Sequence, residues 1–474
     1  MIRALISLLI LSSLSLAGKK NILLLCIDDL RPELNCYGVD YIKSPHIDSL
    51  AAQGTLFQHH YVQSPTCGSS RYAMLTGRYG PADNGALFQR AEKIREGDKY
   101  PASLPAYLKS HGYTTVSVGK VSHHPGGFGG RDWDDSSKLE MPNAWSKSLM
   151  PCGPWKHPRG AMHGLANGEV RVKAKDMAVY QATKGPDTTY PDGLITNEAI
   201  QQLDQLAAKS KTEEQPFFLA VGIIRPHLPF GAPAKFLDPY KDIDLPAIPH
   251  PEKPEGVSTW HASWEFRKYK SWGNDARTDD VFATEVRKHY AACVTYADAQ
   301  VGRLIEHLKK LKLTDDTIIV LWGDHGWHLG EHNIWGKHAL FEESLRSPLI
   351  VHVPGNKQQK EVNTIVESID IYPTLCDFAG LVTPKEVHGI SLKPLIYGDA
   401  INGGEAVSYF KNVQTIRTPD FRLIRHTNEG ATSHIELYHH KEDGSETQNI
   451  AGQHPEVVKQ LEQKIVTTLD QRKN

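Results

Sequence analysis

The stretch Asn21-Ile22-Leu23-Leu24-Leu25-Cys26-Ile27 runs directly into Asp28-Asp29. A strand with one face in water alternates apolar and polar residues. A continuous apolar run is buried on both faces, as in parallel sheets held between helices. Runs of the same kind occur at 114–118, 217–224, 318–322 and 349–353. Helical periodicity separates them, at 47–53, 70–76, 104–111, 194–208 and 281–311. This alternation predicts an α/β sheet covered by helices on both faces. Ligands of such sheets gather beyond the carboxyl ends of the strands. Two acidic clusters fall there: Asp28-Asp29 after the first run, and Gly323-Asp324-His325-Gly326 after Trp322. Carboxylates converging on one edge suit a hard divalent cation such as Ca²⁺ or Mg²⁺. Either cluster alone could equally serve a turn or a helix cap.

Around this frame, the 474 residues are 40% hydrophobic and 23% charged, with a net charge of −2. That supplies a large core and no global field for a nucleic acid, so recognition of an anion must be local. Met1-Ile2-Arg3, an apolar stretch and Ser15-Leu16-Ala17 read as a signal peptide over residues 1–17, implying a secreted or periplasmic protein. No later stretch has the roughly 20 apolar residues of a membrane span. Six cysteines are too few for a disulfide scaffold. Cys26 and Cys293 lie in apolar runs and read as core, whereas Cys67 lies among polar and small residues. Two irregular stretches, 122–191 and 226–274, interrupt the α/β pattern and suit rims or lids. After Gly398, strand-like segments at 406–410, 413–417 and 421–426 precede a helical pattern at 455–471. A main domain over 18–398 and a small α+β subdomain over 399–474 follow from this shift.

Cys67 sits in Ser64-Pro65-Thr66-Cys67-Gly68-Ser69-Ser70-Arg71-Tyr72-Ala73-Met74-Leu75-Thr76-Gly77-Arg78. A loop enters a helix here, placing Cys67 near the helix N-terminus. That position lowers a thiol pKa and favours anions. Arg71 lies one turn on, where its guanidinium can face the same site and bind an oxyanion. The plainer alternative is a buried cysteine and a surface arginine.

This segment resembles the signature of the type I sulfatases, Cys-x-Pro/Ala-x-Arg followed by Thr-Gly, with Ser69 where that family has Pro or Ala. The resemblance runs through most of the chain and is closest to the iduronate-2-sulfatase branch. Asp28-Asp29-Leu30-Arg31-Pro32, Ser117 to His123, Arg225-Pro226-His227-Leu228-Pro229-Phe230, Asp324-His325-Gly326-Trp327 and Trp335-Gly336-Lys337 match its motifs in order. The resemblance implies an alkaline-phosphatase-like fold, with a mixed, mostly parallel sheet. It implies that a maturation enzyme oxidises Cys67 to formylglycine (3-oxoalanine), whose hydrate supplies the nucleophilic hydroxyl. It assigns Ca²⁺ to Asp28, Asp29, Asp324, His325 and the modified Cys67. Arg71, Lys120 and Lys337 would neutralise the sulfate, as such chemistry requires. His227 and His123 would handle the leaving-group proton, His227 being favoured as the acid. Arg225, Trp327 and His338 lie beside matched motifs and are candidate substrate contacts, with packing an equal alternative. The implied substrate is a sulfated carbohydrate bearing 2-O-sulfate on a uronic acid. A phosphoester or phosphonate hydrolase on the same scaffold, and a glycan-binding protein with unmodified Cys67, are the competing readings.

Overall fold

The computed structural model describes residues 19–125, 139–358, 360–399 and 404–470. The leader at 1–17 and the glycine run at 126–130 lie outside the described residues. Eight strands form the main sheet, in the order Lys360–Val362, Thr55–Phe57, Leu349–His352, Thr317–Gly323, Asn21–Ile27, Phe217–Ile223, Thr114–Gly119, Lys147–Leu149. Leu349–His352 pairs antiparallel with both its neighbours, and the other pairings are parallel. The apolar runs form strands of this sheet, and its mixed, mostly parallel pairing is the one the family resemblance implies.

Every residue of Asn21–Ile27 is buried, and its side chains divide between two cores. Leu23, Leu25 and Ile27 pack with helices Pro45–Gln53, Pro191–Glu213 and Asp280–Lys310. Ile22, Leu24 and Cys26 pack on the opposite face with Cys67–Thr76, Ala86–Arg95, Leu104–Ser110 and Ile371–Phe378. A strand alternates its side chains across the sheet, so a continuous apolar run feeds both cores. Each fully buried leucine contributes about 1.5–3 kcal/mol of transfer free energy.

The C-terminal region forms a separate four-stranded antiparallel sheet, Ala406–Phe410, Val413–Arg417, Phe421–Asn428 and Ala431–His439, closed by helix Pro455–Asp470. Val407, Ile416, Leu423, Leu437, Leu461 and Ile465 bury its inner side, with Ala73 and Tyr79 from the main domain in the same cluster. No helix among the described residues is long and apolar enough to cross a membrane.

The four central parallel strands end at a common edge. Asp28-Asp29 follows Ile27, Lys120 follows Gly119, Arg225 and His227 follow Ile223, and Asp324 follows Gly323. The fold therefore delivers these residues to one place by topology alone.

Candidate active site

Cys67 opens the helix Cys67–Thr76, all ten residues of which are buried. Asn84 holds this N-terminus from outside the helix. Its Oδ1 accepts from Gly68 N at 2.9 Å and lies 3.1 Å from Thr66 Oγ1. Asn84 approaches so closely that a Cβ on Gly68 would lie 2.3 Å from Asn84 Cα, so only glycine fits beside Cys67. The Ser69 hydroxyl is buried without a hydrogen-bond partner, and an apolar side chain would satisfy that position equally well.

Three carboxylates crowd the thiol. Cys67 Sγ lies 3.9 Å from Asp29 Oδ1, 3.3 Å from His325 Nε2 and 3.3 Å from Lys337 Nζ. Asp28, Asp29 and Asp324 are all fully buried. Burial and the neighbouring Asp28 and Asp324 push the Asp29 carboxyl well above its ordinary range, despite Lys337. Burial and Asp28 raise Asp324 to about 7. Asp28 is also penalised by burial, but Lys120, His227 and Arg71 hold it well below the usual range.

Such crowding calls for a cation, and the donors fit one. Asp29 Oδ2 is buried with no hydrogen-bond partner. Single donor atoms of Asp28, Asp29, Cys67 and His227 lie within 4.8 Å of one another, and those of Cys67, Asp324 and His325 form a second such group. Carboxylate oxygens suit a hard divalent ion. His325 Nε2 lies 3.3 Å from Asp29 Oδ1 and 3.7 Å from Asp324 Oδ1, close to the same space.

The cations occupy distinct stations. Arg71 is completely buried; Nε binds Asp324 Oδ2 at 3.0 Å, Nη2 binds Asp28 Oδ1 at 2.9 Å, and Nη1 donates to Val121 O at 3.0 Å and to Lys120 O. Its donors are committed, so Arg71 braces the carboxylates, and it does not line the cavity that reaches Cys67. Lys120 binds Asp28 Oδ2 and is equally buried. Lys337 Nζ binds Asp29 Oδ1 at 2.8 Å and also borders the cavity.

That cavity has a volume of about 310 Å³ and reaches Cys67, His123, His227, Lys337 and His338. The two irregular stretches build its walls: His124, Arg159, His163 and Arg171 from one, Trp264, Glu265, Lys268 and Tyr269 from the other. His227 Nδ1 meets Leu228 O at 2.6 Å, so it carries the proton there and leaves Nε2 toward Glu265 Oε1, 3.9 Å away. Burial, then Lys120, keeps both His227 and His123 well below the ordinary imidazole value.

Several expectations require correction. The helix N-terminus does not make Cys67 acidic, because burial and then Asp28 raise its thiol well above the ordinary value. Arg225 does not line the cavity and takes the packing alternative. It is fully buried, and its guanidinium donates to Gly231 O at 2.9 Å and Gly164 O at 2.6 Å, tying two loops together. Trp327 is also fully buried, packed edge-on to Phe230 beneath Lys337, and does not line the cavity. His338 does line it, its ring stacked on Trp264 and Phe410. Asn84, Glu265, Arg159, Arg171 and Lys268 carried no sequence signal, because they lie outside the motifs, in loops or in helical segments too short to show a period.

Residues 20–381 match the sulfatase family model, and 330–472 match that of the N-sulphoglucosamine sulphohydrolase C-terminal region. Human iduronate 2-sulfatase is 33% identical over 404 residues, covering 77% of this chain and 70% of the human protein. A solved structure described as a complex with its substrate D-glucosamine-2-N,6-O-disulfate superposes with a TM-score of 0.72 at 23% identity, covering 96% of this chain and 98% of the other. The phosphonate monoester hydrolase of Agrobacterium radiobacter superposes with a TM-score of 0.73 at 20% identity, over 96% of each chain. These likenesses establish the alkaline-phosphatase-like fold. With the family model spanning most of the chain and a relative at 33% identity, this protein belongs to the sulfatase family and is a sulfuric ester hydrolase.

Proposed function

We propose that the chain removes a 2-O-sulfate from a uronic acid residue of a sulfated glycan, using a formylglycine made from Cys67 and a Ca²⁺ held by Asp28, Asp29, Asp324 and His325. The observation that carries the reading is Cys67 at the cavity floor, ringed by buried carboxylates and by Lys337. A thiol held neutral by burial is a poor nucleophile, which favours a chemically converted side chain. When bound, the ion and the aldehyde hydrate would supply charge neutralisation and an activated hydroxyl.

The chain's own residues do the remaining work. Lys337 presents a cation at the cavity floor, where the sulfuryl oxygens would sit. Arg71 and Lys120 fix the carboxylates so that their oxygens do not swing away. His227 Nε2 faces the cavity and is suited to hold a proton for the leaving sugar oxygen once an anionic ester offsets its desolvation. His123 is the alternative partner at the same wall. Arg159, Arg171 and Lys268 offer a uronate carboxylate cationic partners, and the human relative is named for a 2-sulfate on iduronate.

The structural likeness to a phosphonate monoester hydrolase keeps phosphorus esters as the second reading. Parallel turnover of matched sulfate and phosphonate monoesters separates the two. The sulfate ester should have the higher kcat/KM, and a faster phosphonate reaction would overturn the assignment. A disaccharide panel sulfated at 2-O, 6-O or N positions then tests the position. Binding of sulfated glycan without turnover, by protein with an intact thiol, would support a non-catalytic role.

A further inference from the structure

Outside the catalytic cavity, a second set of metal-ligating side chains converges. His250 comes from the irregular stretch 226–274, His328 and His332 follow the 317–323 strand, and Glu343 lies in the short helix Glu342–Leu345. His250 Nε2 is 2.8 Å from Glu343 Oε1, His328 Nε2 is 3.3 Å from Glu343 Oε2, and His332 Nδ1 is 3.8 Å from the same oxygen. Donor atoms of His250, His332 and Glu343 all lie within 4.8 Å of one another.

One facing pair is hydrogen-bonded, His250 Nε2 with Glu343 Oε1, and the other facing atoms are not. His328 Nε2, His332 Nδ1 and Glu343 Oε2 are buried and unbonded, and the His328 and His332 side chains are 0% and 1% exposed. The opposite ring nitrogens of His328 and His332 are occupied, whereas His250 Nδ1 is buried without a partner. His328 Nδ1 meets Ser344 Oγ at 2.9 Å, and His332 Nε2 meets Ser445 O at 3.0 Å. A carbonyl can only accept, so His332 Nε2 carries the hydrogen and its Nδ1 lone pair points at a carboxylate oxygen. Lone pair against lone pair is repulsive unless a cation lies between them. Holding the far ring nitrogen by a carbonyl is also how proteins orient metal-binding histidines.

We propose that His250, His328, His332 and Glu343 form a structural site for a four-coordinate divalent transition metal, with Zn²⁺ the best match. Three imidazoles and one carboxylate suit Zn²⁺ better than Ca²⁺. Tetrahedral bonds of about 2.0–2.1 Å separate ligand atoms by about 3.3 Å. His328 Nε2 and His332 Nδ1 stand 3.3 and 3.8 Å from Glu343 Oε2, near that spacing, while His328 lies outside the 4.8 Å group of His250, His332 and Glu343 donors, so an ion would draw it inward. Glu343 borders a surface cavity of about 430 Å³, which gives the ion a route in. The site bears on catalysis through the hairpin His328–Leu329 and Trp335–Gly336, in which His328 pairs with Gly336. Lys337 follows immediately, so the ion would fix the hairpin that delivers the cavity ammonium.

The test is titration of the full-length, Ca²⁺-loaded protein with Co²⁺ and then Zn²⁺. One Co²⁺ per chain should give the intense visible bands of a four-coordinate nitrogen and oxygen site, without a thiolate charge-transfer band, and Zn²⁺ should displace it. His328→Asn and Glu343→Gln should each weaken Co²⁺ binding by at least about tenfold, whereas Asp324→Asn should leave it unchanged. Circular dichroism establishes that each variant is folded, and either of the first two suffices if the other fails to fold. Absence of four-coordinate bands, or binding lost in Asp324→Asn and retained in both other variants, would overturn the proposal in favour of a proton shared within an ion-paired cluster.

Discussion

At Cys67 two electrostatic influences oppose each other. The helix N-terminus favours a thiolate, whereas burial and Asp28 disfavour it and prevail. The sequence shows the first influence, because Pro65 and the helical pattern are local. It cannot show the second, which depends on chain segments distant in sequence. The same limit explains Arg71 and Arg225. Both were recognisable from motifs, but which way a guanidinium points is decided by the acceptors around it. For His227, an acid role makes a specific demand. The His227→Ala variant should lose about 10²–10⁴-fold in kcat on a sugar sulfate, whose alkoxide leaves poorly. On 4-nitrophenyl sulfate, which needs no protonation to leave, the loss should fall below about tenfold if His227 acts as general acid. Equal losses on both substrates would assign His227 to binding.

At the scale of elements, the long apolar and amphipathic segments were legible and the short ones were not. The runs at 114–118, 217–224, 318–322 and 349–353 all became central strands. Thr55–Phe57, Lys147–Leu149 and Lys360–Val362 are not legible, since three residues carry no periodicity and pairing with the neighbouring strands imposes their conformation. Ala431–His439 was missed because its first half is exposed and polar. Helix Pro45–Gln53 illustrates a dependence between elements. Its own Ser44 makes no side-chain cap, and Asp298 from the long helix accepts from Ile47 N at 2.7 Å instead. Asp298→Ala should cost about 1–2 kcal/mol by denaturant unfolding. Burial raises the Asp298 carboxyl from 3.8 to about 7. Folding therefore favours its protonated form, which contributes fully below pH 3.8 and loses that contribution as pH rises to about 7. Asp298→Asn, which cannot ionise, should lack this decline. An unchanged pH slope in the variant would contradict the assignment.

Over the whole molecule, the order of motifs along the chain mapped onto one sheet edge, which is why the catalytic floor was legible before the walls. The irregular stretches were recognised as rims, and both line the cavity, but their individual contacts follow from packing that no periodicity encodes. The C-terminal sheet is not an appendage. Ala406, Ile424 and Tyr438 share a core with Tyr61, Phe341 and Leu345, and Arg422 bridges Glu446 and Glu342. Arg422→Ala leaves Glu446 buried without its guanidinium and should cost about 3–5 kcal/mol, within a single thermal transition. Two resolved transitions would mean that the sheets unfold independently. Removing the proposed Ca²⁺ with a chelator should abolish turnover and lower the melting temperature, because the buried Asp28, Asp29 and Asp324 would then lack the counterion assigned to them. Protons compete for Asp324, whose carboxyl is raised to about 7, so Ca²⁺ affinity should strengthen as pH rises toward that value.

The central claim is that catalysis runs through a converted Cys67, and mass spectrometry of the Cys67 peptide from active protein tests it most directly. Protein co-expressed with a formylglycine-generating enzyme should carry the aldehyde at Cys67, in a fraction that tracks specific activity across preparations. Full sulfatase activity in a preparation whose Cys67 peptide retains an intact thiol would contradict the account.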